Sequence, residues 1–117
     1  MRLLIAEDEE DLAEALGVFF EKNHFSVDVV HDGRAACDYA EAGAYDAIVL
    51  DVMMPGMDGY EVCRLLKASP LTVHIPVVMI TALVDPAERV RGLEAGADDF
   101  LSKPVDHPTL FARLRAL

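Results

Sequence analysis

Short runs of apolar residues recur along the chain and are separated by longer stretches of mixed polarity. The apolar positions within each run are continuous rather than alternating. This is typical of parallel strands that are covered on both faces and joined by helical crossovers. The pattern predicts five strands, at Leu3–Ala6, Phe25–Val30, Ala47–Leu50, Pro76–Ile80 and Phe100–Ser102.

The stretches between these runs carry apolar residues spaced three and four positions apart, as amphipathic helices do. The predicted apolar faces comprise Leu12, Ala15, Leu16, Phe19 and Phe20 in the first helix, Val62, Leu65 and Leu66 in the third, and Leu110, Phe111, Leu114 and Leu117 in the last. Start signals fall at Asp32, Asp58, Asp85 and Asp106, and Gly96 suits a helix end. Five βα units with right-handed crossovers allow only a few strand orders. Among the doubly wound α/β folds we predict the flavodoxin-like one, with strand order 2-1-3-4-5.

Composition and charge limit the classes of function that this fold could serve. The 117 residues, 53% of them apolar, predict a single domain over residues 1–117 without a linker, repeat or second domain. The excess of 21 acidic over 10 basic residues gives a net charge of -11, which disfavours direct binding to nucleic acid or to an anionic membrane. With no long apolar run, no signal peptide and two isolated cysteines, Cys37 and Cys63, we expect a soluble cytoplasmic protein with reduced thiols.

Polar side chains follow the predicted strands at the edge where a doubly wound sheet binds its ligands. Carboxylates at Glu7, Asp8 and Asp51 come after the first and third strands, Thr81 ends the fourth, and Lys103 follows the fifth. Three neighbouring carboxylates repel one another, and their oxygen ligands favour Mg²⁺. The placement of Asp51 makes it the expected nucleophile toward phosphorus, with Lys103 and Thr81 contacting the phosphoryl oxygens.

Each of these residues also has an ordinary structural interpretation. The acidic run after the first strand could be a solvated helix start, Asp51 a turn residue, Thr81 a strand end and Lys103 a surface lysine. Their joint placement at the ends of four strands favours a common site. Three other functions are compatible with parts of the pattern: a flavin-binding electron carrier, a phosphatase or phosphotransferase with an aspartyl intermediate, and a receiver-like module that is never phosphorylated.

Four ordered motifs along the whole chain resemble the receiver domains of response regulators in two-component signalling, which belong to the CheY-like superfamily. They are Leu3–Glu9, Asp51–Gly59, Ile80–Ala82 and Gly96–Pro104. The first half is similar to receivers attached to winged-helix transcription factors. The segments around His74–Val78 and Leu110–Leu114 are similar to PleD-type receivers, which are attached to diguanylate cyclases. The output that the chain controls therefore stays open.

The resemblance implies a role for each site residue. Asp51 would receive a phosphoryl group from a histidine kinase or a histidine phosphotransfer protein, so that the domain is a regulatory phosphoacceptor rather than an enzyme. The implied ligands of Mg²⁺ are Glu7, Asp8, Asp51 and the carbonyl of Met53. Lys103 would contact the phosphoryl group, and the peptide bond before Pro104 is expected to be cis.

The resemblance also implies a conformational switch. Thr81 would move toward the phosphoryl group and Phe100 would rotate inward, which changes a face made by the fourth helix, fifth strand and fifth helix. A homodimer on phosphorylation is expected at that face. The chain departs from many members at two places, with glutamate at Glu7 instead of aspartate and phenylalanine at Phe100 instead of tyrosine.

Overall fold

The computed structural model describes residues 1–83 and 85–117, in which five strands alternate with five helices. The strands are β1 (Arg2–Ala6), β2 (Ser26–Val30), β3 (Ala47–Asp51), β4 (Val77–Thr81) and β5 (Asp99–Ser102). The helices are α1 (Glu10–Lys22), α2 (Gly33–Ala42), α3 (Gly59–Ala68), α4 (Pro86–Glu94) and α5 (His107–Arg115). All five predicted strands are present, each shifted by at most one residue at either end.

The strands form one parallel sheet in the order β2-β1-β3-β4-β5. This order confirms the predicted doubly wound α/β fold. The central strands β3 and β4 are buried along their whole length, because helices cover both faces of the sheet. Residues at the carboxyl ends of β1, β3, β4 and β5 therefore meet at one edge.

The core consists of two layers, one on each face of the sheet. On one face α1 and α5 pack against β-strand residues, and four phenylalanine rings at Phe19, Phe20, Phe25 and Phe111 lie 5.1 to 6.3 Å apart. On the other face α2, α3 and the end of α4 cover residues such as Ile48 and Met79. Burial of these apolar side chains is the main source of folding free energy.

Capping residues explain where several helices begin. The side chains of Asp32, Asp58, Asp85 and Asp106 accept hydrogen bonds from backbone N–H groups in the first turns of α2, α3, α4 and α5. Gly96, with φ of 103°, follows the end of α4, as its position in the sequence predicts. Among the described residues there is no helix with the length and apolarity needed to traverse a lipid bilayer.

Parts of the predicted helix faces are wrong. Leu65 and Leu117 are each 48% exposed and Ala15 is exposed, although their spacing placed them on apolar faces. Leu117 lies beyond the end of α5, whereas Ala15 in α1 and Leu65 in α3 lie beside the narrow stripe that each helix buries against the sheet.

Candidate phosphoacceptor site

The site begins where β1 and β3 end. The backbone N–H of Glu7 donates to the carbonyl of Val30, which extends the β1–β2 pairing by one residue and directs the Glu7 side chain into the interior. Glu7 is fully buried, and its Oε2 accepts a hydrogen bond from the Glu9 N–H at 3.0 Å. Asp51 is the last residue of β3 and is 2% exposed.

Lys103 reaches this pair from the end of β5. Its Nζ lies 2.6 Å from Glu7 Oε1 and 3.4 Å from Asp51 Oδ2. The Lys103 backbone N–H donates to the Thr81 carbonyl at 2.7 Å, which fixes the start of the lysine side chain next to β4. The Lys103–Pro104 peptide bond is cis, as the sequence resemblance implies.

Asp8 completes an acidic cluster at the same edge. One carboxylate oxygen from each of Glu7, Asp8 and Asp51 lies within 4.8 Å of the other two. Asp8 is exposed, whereas the other two are buried, so the cluster opens to solvent on the Asp8 side. Apart from the ion pair with Lys103, Glu7 Oε1 has no hydrogen-bond partner among the described residues.

The electrostatics of the cluster favour a further positive charge. Burial, followed by a hydrogen bond to Glu7 and repulsion from its charge, raises the pKa of Asp51 to about 7. Lys103 and the Met53 N–H, which donates to Asp51 Oδ1 at 3.3 Å, act in the opposite direction but do not compensate. The cluster sets three carboxylates against one ammonium group, and all the ligand atoms of the carboxylates are oxygens. Such a set fits a hard divalent cation such as Mg²⁺.

Lys103 stays cationic in this setting. Burial alone would lower the pKa of its ammonium group, but hydrogen bonding to Glu7 and the charge of Asp51 outweigh burial and raise that pKa. The site therefore combines carboxylate oxygens and one fixed positive charge around Asp51 Oδ2.

Of the two residues expected to switch, Thr81 ends β4 at the edge that carries the cluster, and Phe100 lies on β5 opposite Met79 of β4. Thr81 is fully buried at the end of β4, and its Oγ1 accepts a hydrogen bond from the Leu83 N–H at 3.1 Å. Phe100 on β5 is already buried in this structure, with 2% of its surface exposed, so inward rotation is not needed to bury its ring.

A groove of about 580 Å³ runs from the cluster toward α3 and α4. Asp8 and the exposed Met53 border it on the side of the cluster, and Tyr60, Glu88 and Arg91 border it on the other side. These last three residues were not among the predicted site residues. They are separated by up to 31 positions and carry no local motif, so only the packing of α4 beside α3 brings them together.

Comparisons with known proteins agree with this geometry. A family model described as response regulator receiver domain matches residues 3–115. Response regulator PleD of Caulobacter vibrioides is 48% identical over 99% of this chain and 26% of its own length. Transcriptional regulatory protein TcrA of Mycobacterium tuberculosis is 46% identical over 100% of this chain and 46% of its own length. The chain thus spans about a quarter to a half of these relatives.

Solved structures give the same result. The receiver domain of a Pseudomonas aeruginosa sensor histidine kinase, described with a magnesium ion coordinated in its active-site cleft, superposes with a TM-score of 0.91 at 30% identity, covering 98% of this chain and 93% of that one. A beryllofluoride-activated receiver domain of RstA from Klebsiella pneumoniae gives 0.92 at 28% identity, covering 99% and 97%. With the family model, the close relatives and the acidic cluster in agreement, this chain belongs to the response regulator receiver domains of two-component signalling.

Proposed function

We propose that Asp51 is the phosphoacceptor of this receiver domain. The observation that carries the proposal is the placement of Lys103 Nζ within 3.4 Å of Asp51 Oδ2 and 2.6 Å of Glu7 Oε1. A buried carboxylate beside a fixed ammonium group is suited to attack phosphorus, because the ammonium neutralises charge that grows on the phosphoryl oxygens.

The proposed donor is a phosphohistidine of a histidine kinase or a histidine phosphotransfer protein. An oxygen of Asp51 forms the new O–P bond while the P–N bond to the donor imidazole breaks, and the bonding electrons and a proton remain with the imidazole. Lys103 holds the transferred group by an ion pair, and Thr81 donates its hydroxyl to a phosphoryl oxygen. The resting contact between Thr81 Oγ1 and the Leu83 N–H leaves that hydroxyl proton free for this donation.

The proposed metal is Mg²⁺, held by Glu7, Asp8, Asp51 and the backbone carbonyl of Met53. Glu7 is buried and paired with Lys103, so we propose that it acts through a water molecule, while Asp8 and Asp51 bind directly. The bound ion would neutralise the phosphoryl oxygens during transfer.

The regulatory consequences belong to the same proposal. A phosphorylated domain would change the face formed by α4, β5 and α5 and could pair with a second copy there, since Val90 and Leu93 on α4 are each 52% exposed. We propose an intracellular location, which agrees with the two buried free cysteines. With a net charge of -11, we propose no direct contact with nucleic acid or membrane.

The test is phosphorylation by acetyl phosphate with and without Mg²⁺, followed by intact-protein mass and by light scattering. We expect Mg²⁺-dependent addition of one phosphoryl group to the wild type, and none to Asp51→Asn. Asp38→Asn is the matched control, because Asp38 is an exposed aspartate on α2 whose nearest partner is Arg34 at 3.7 Å. Modification that persists in Asp51→Asn would refute Asp51 as the acceptor.

A further inference from the structure

Helix α4 is held to the rest of the domain by few contacts. Of its nine residues, Pro86–Glu94, all of which the structure describes, only Gly92 is buried. Gly92 lies against Phe100: a Cβ at this position would be 2.7 Å from Phe100 Cε2 and 3.3 Å from Met79 Sδ. A helix with so little buried apolar surface is positioned largely by whatever specific contacts it makes.

The most specific of these contacts joins α4 to α3. Tyr60, in the first turn of α3, is 1% exposed, and its hydroxyl lies 2.5 Å from Glu88 Oε2 and 3.1 Å from the Glu88 carbonyl oxygen. Arg91, one turn further along α4, places its Cζ 4.3 Å from the centre of the Tyr60 ring and its Nη1 3.7 Å from Glu88 Oε2. We call these three residues the α3–α4 clasp.

The chemistry of the clasp makes it a stable contact in the resting protein. Burial and the hydrogen bond to Glu88 raise the pKa of the Tyr60 phenol, so it remains a donor at neutral pH. A hydrogen bond from a buried hydroxyl to a carboxylate is among the stronger neutral-to-charged contacts in proteins. The cation–π contact with Arg91 adds a second attraction on the same ring.

The clasp joins α4, the helix expected to respond, to α3 along the groove that begins at Asp8. Tyr60 and Arg91 border the same groove as Asp8 and Met53. Thr81 precedes α4 by five residues, and the resting bond from the Leu83 N–H to Thr81 Oγ1 ties the start of this connection to the end of β4. Movement of Thr81 toward a phosphoryl group on Asp51 would therefore pull on α4 at the end where Glu88 is fixed.

We propose that Tyr60 is a positioning residue that, through the α3–α4 clasp, holds α4 in its resting place and so sets how readily the domain adopts its phosphoryl-bound form. This inference rests on the proposed function of Asp51. Because Phe100 is already buried beneath Gly92, the response would be a displacement of α4 over the ring, and the clasp must open for that displacement to occur.

Tyr60→Phe tests this role by removing the hydroxyl and keeping the ring. With saturating Mg²⁺, we expect its apparent affinity for beryllofluoride, measured by titration calorimetry, to rise about fivefold, as loss of one net hydrogen bond predicts. Faster amide hydrogen exchange within residues 86–94 of the unliganded variant is expected as well. Glu88→Ala, which keeps the bond to the backbone carbonyl and a good helix former, should give a smaller increase in the same direction.

Tyr45→Phe is the matched control. Tyr45 is also buried, 6% exposed, and also donates to a carboxylate, Asp28 Oδ2 at 2.6 Å, but it precedes β3 at the opposite end of the sheet from Asp51. We expect Tyr45→Phe to lower the melting temperature without changing beryllofluoride affinity. Unchanged or weakened affinity in Tyr60→Phe, or equal gains in both variants, would overturn the clasp. Failure of the wild type to bind beryllofluoride with Mg²⁺ would instead overturn the proposed function.

Discussion

Asp51 lies between Glu7, which repels its charge, and Lys103, which attracts it. Burial and Glu7 dominate, so the pKa of Asp51 is raised to about 7 in the metal-free protein. Below that pH the carboxyl group holds a proton, and it is then neither a ligand nor a nucleophile. The acidic cluster should therefore respond to pH and to Mg²⁺ together.

We predict that Mg²⁺ raises the melting temperature more at pH 8 than at pH 6, because at pH 6 the ion must displace a proton from Asp51. Without Mg²⁺, by contrast, we expect the protein to be less stable at pH 8 than at pH 6. A folded-state pKa near 7 against 3.8 in the unfolded chain gives stabilisation that is complete below pH 3.8 and is lost as pH rises through 7. Thermal denaturation at both pH values, with and without Mg²⁺, checks this. In an Asp51→Asn variant, Mg²⁺ should raise the melting temperature equally at pH 6 and pH 8. Equal increases at the two pH values in the wild type would contradict the prediction.

Two apolar side chains near Asp51, the proposed phosphoacceptor, predict a long-lived phosphorylated state. Met53 is 57% exposed and Leu83 is partly buried, and both border the groove beside Asp8. Neither side chain offers an amide or carboxylate to orient an attacking water. We expect Met53→Asn and Leu83→Glu each to speed phosphate loss, by about tenfold, which is below the full effect of an optimally placed general base.

Release of inorganic phosphate after removal of acetyl phosphate measures this rate. Leu71→Asn is a suitable control, because Leu71 is 65% exposed and precedes β4, away from the site. If neither Met53→Asn nor Leu83→Glu differs from the control, the apolar side chains do not determine the lifetime.

At the level of elements, the helices differ in how many residues they bury against the sheet. On one face α1 and α5 share the phenylalanine cluster and bury Leu16, Phe20, Leu110 and Leu114. On the other face α3 buries five residues, whereas α4 buries only Gly92. By this measure α4 is the helix held least firmly, and we expect it to move at the least cost in free energy.

The Gly92 contact gives a prediction about that helix. In Gly92→Ala the added methyl would overlap the Phe100 ring, and overpacking of this kind costs about 1 to 3 kcal/mol. Alanine regains roughly 0.5 to 1 kcal/mol in helix propensity, so we expect a net loss of about 1 kcal/mol in urea unfolding. Gly17→Ala is the matched control in α1, since its Cβ would lie 3.6 Å from Val29 Cγ2, an ordinary contact. A Gly92→Ala variant as stable as Gly17→Ala would contradict the proposed close approach.

For the molecule as a whole, the sequence pattern was sufficient to predict the sheet. Continuous apolar runs identified all five strands. The preference for right-handed crossovers limited the strand orders to a few, and the flavodoxin-like order predicted from among them is the one observed. Because parallel strands end at a common edge, the meeting of Glu7, Asp8, Asp51 and Lys103 followed from their positions after strands. The roles of these residues stay predictions until the phosphorylation experiment is done.

Contacts between helices could not be predicted in the same way. The Tyr60–Glu88 contact joins residues 28 positions apart, and it depends on the exact placement of α4 beside α3, which no periodicity specifies. The burial of Phe100 in the resting protein likewise depends on a glycine of a neighbouring helix. Packing between elements depends on the shapes of the side chains that meet. The pattern of polar and apolar residues in the sequence indicates only which face of each element is buried.

The buried Phe100 ring has a thermodynamic consequence for signalling. Conversion to the phosphoryl-bound form would transfer little aromatic surface out of water, because that transfer has already taken place in the resting protein. Heat capacity follows apolar hydration, so the Phe100 ring itself should contribute almost nothing to the heat-capacity change of the conversion. Any curvature in a van't Hoff plot of the conversion would then arise from other apolar surfaces, such as Val90 and Leu93 on α4.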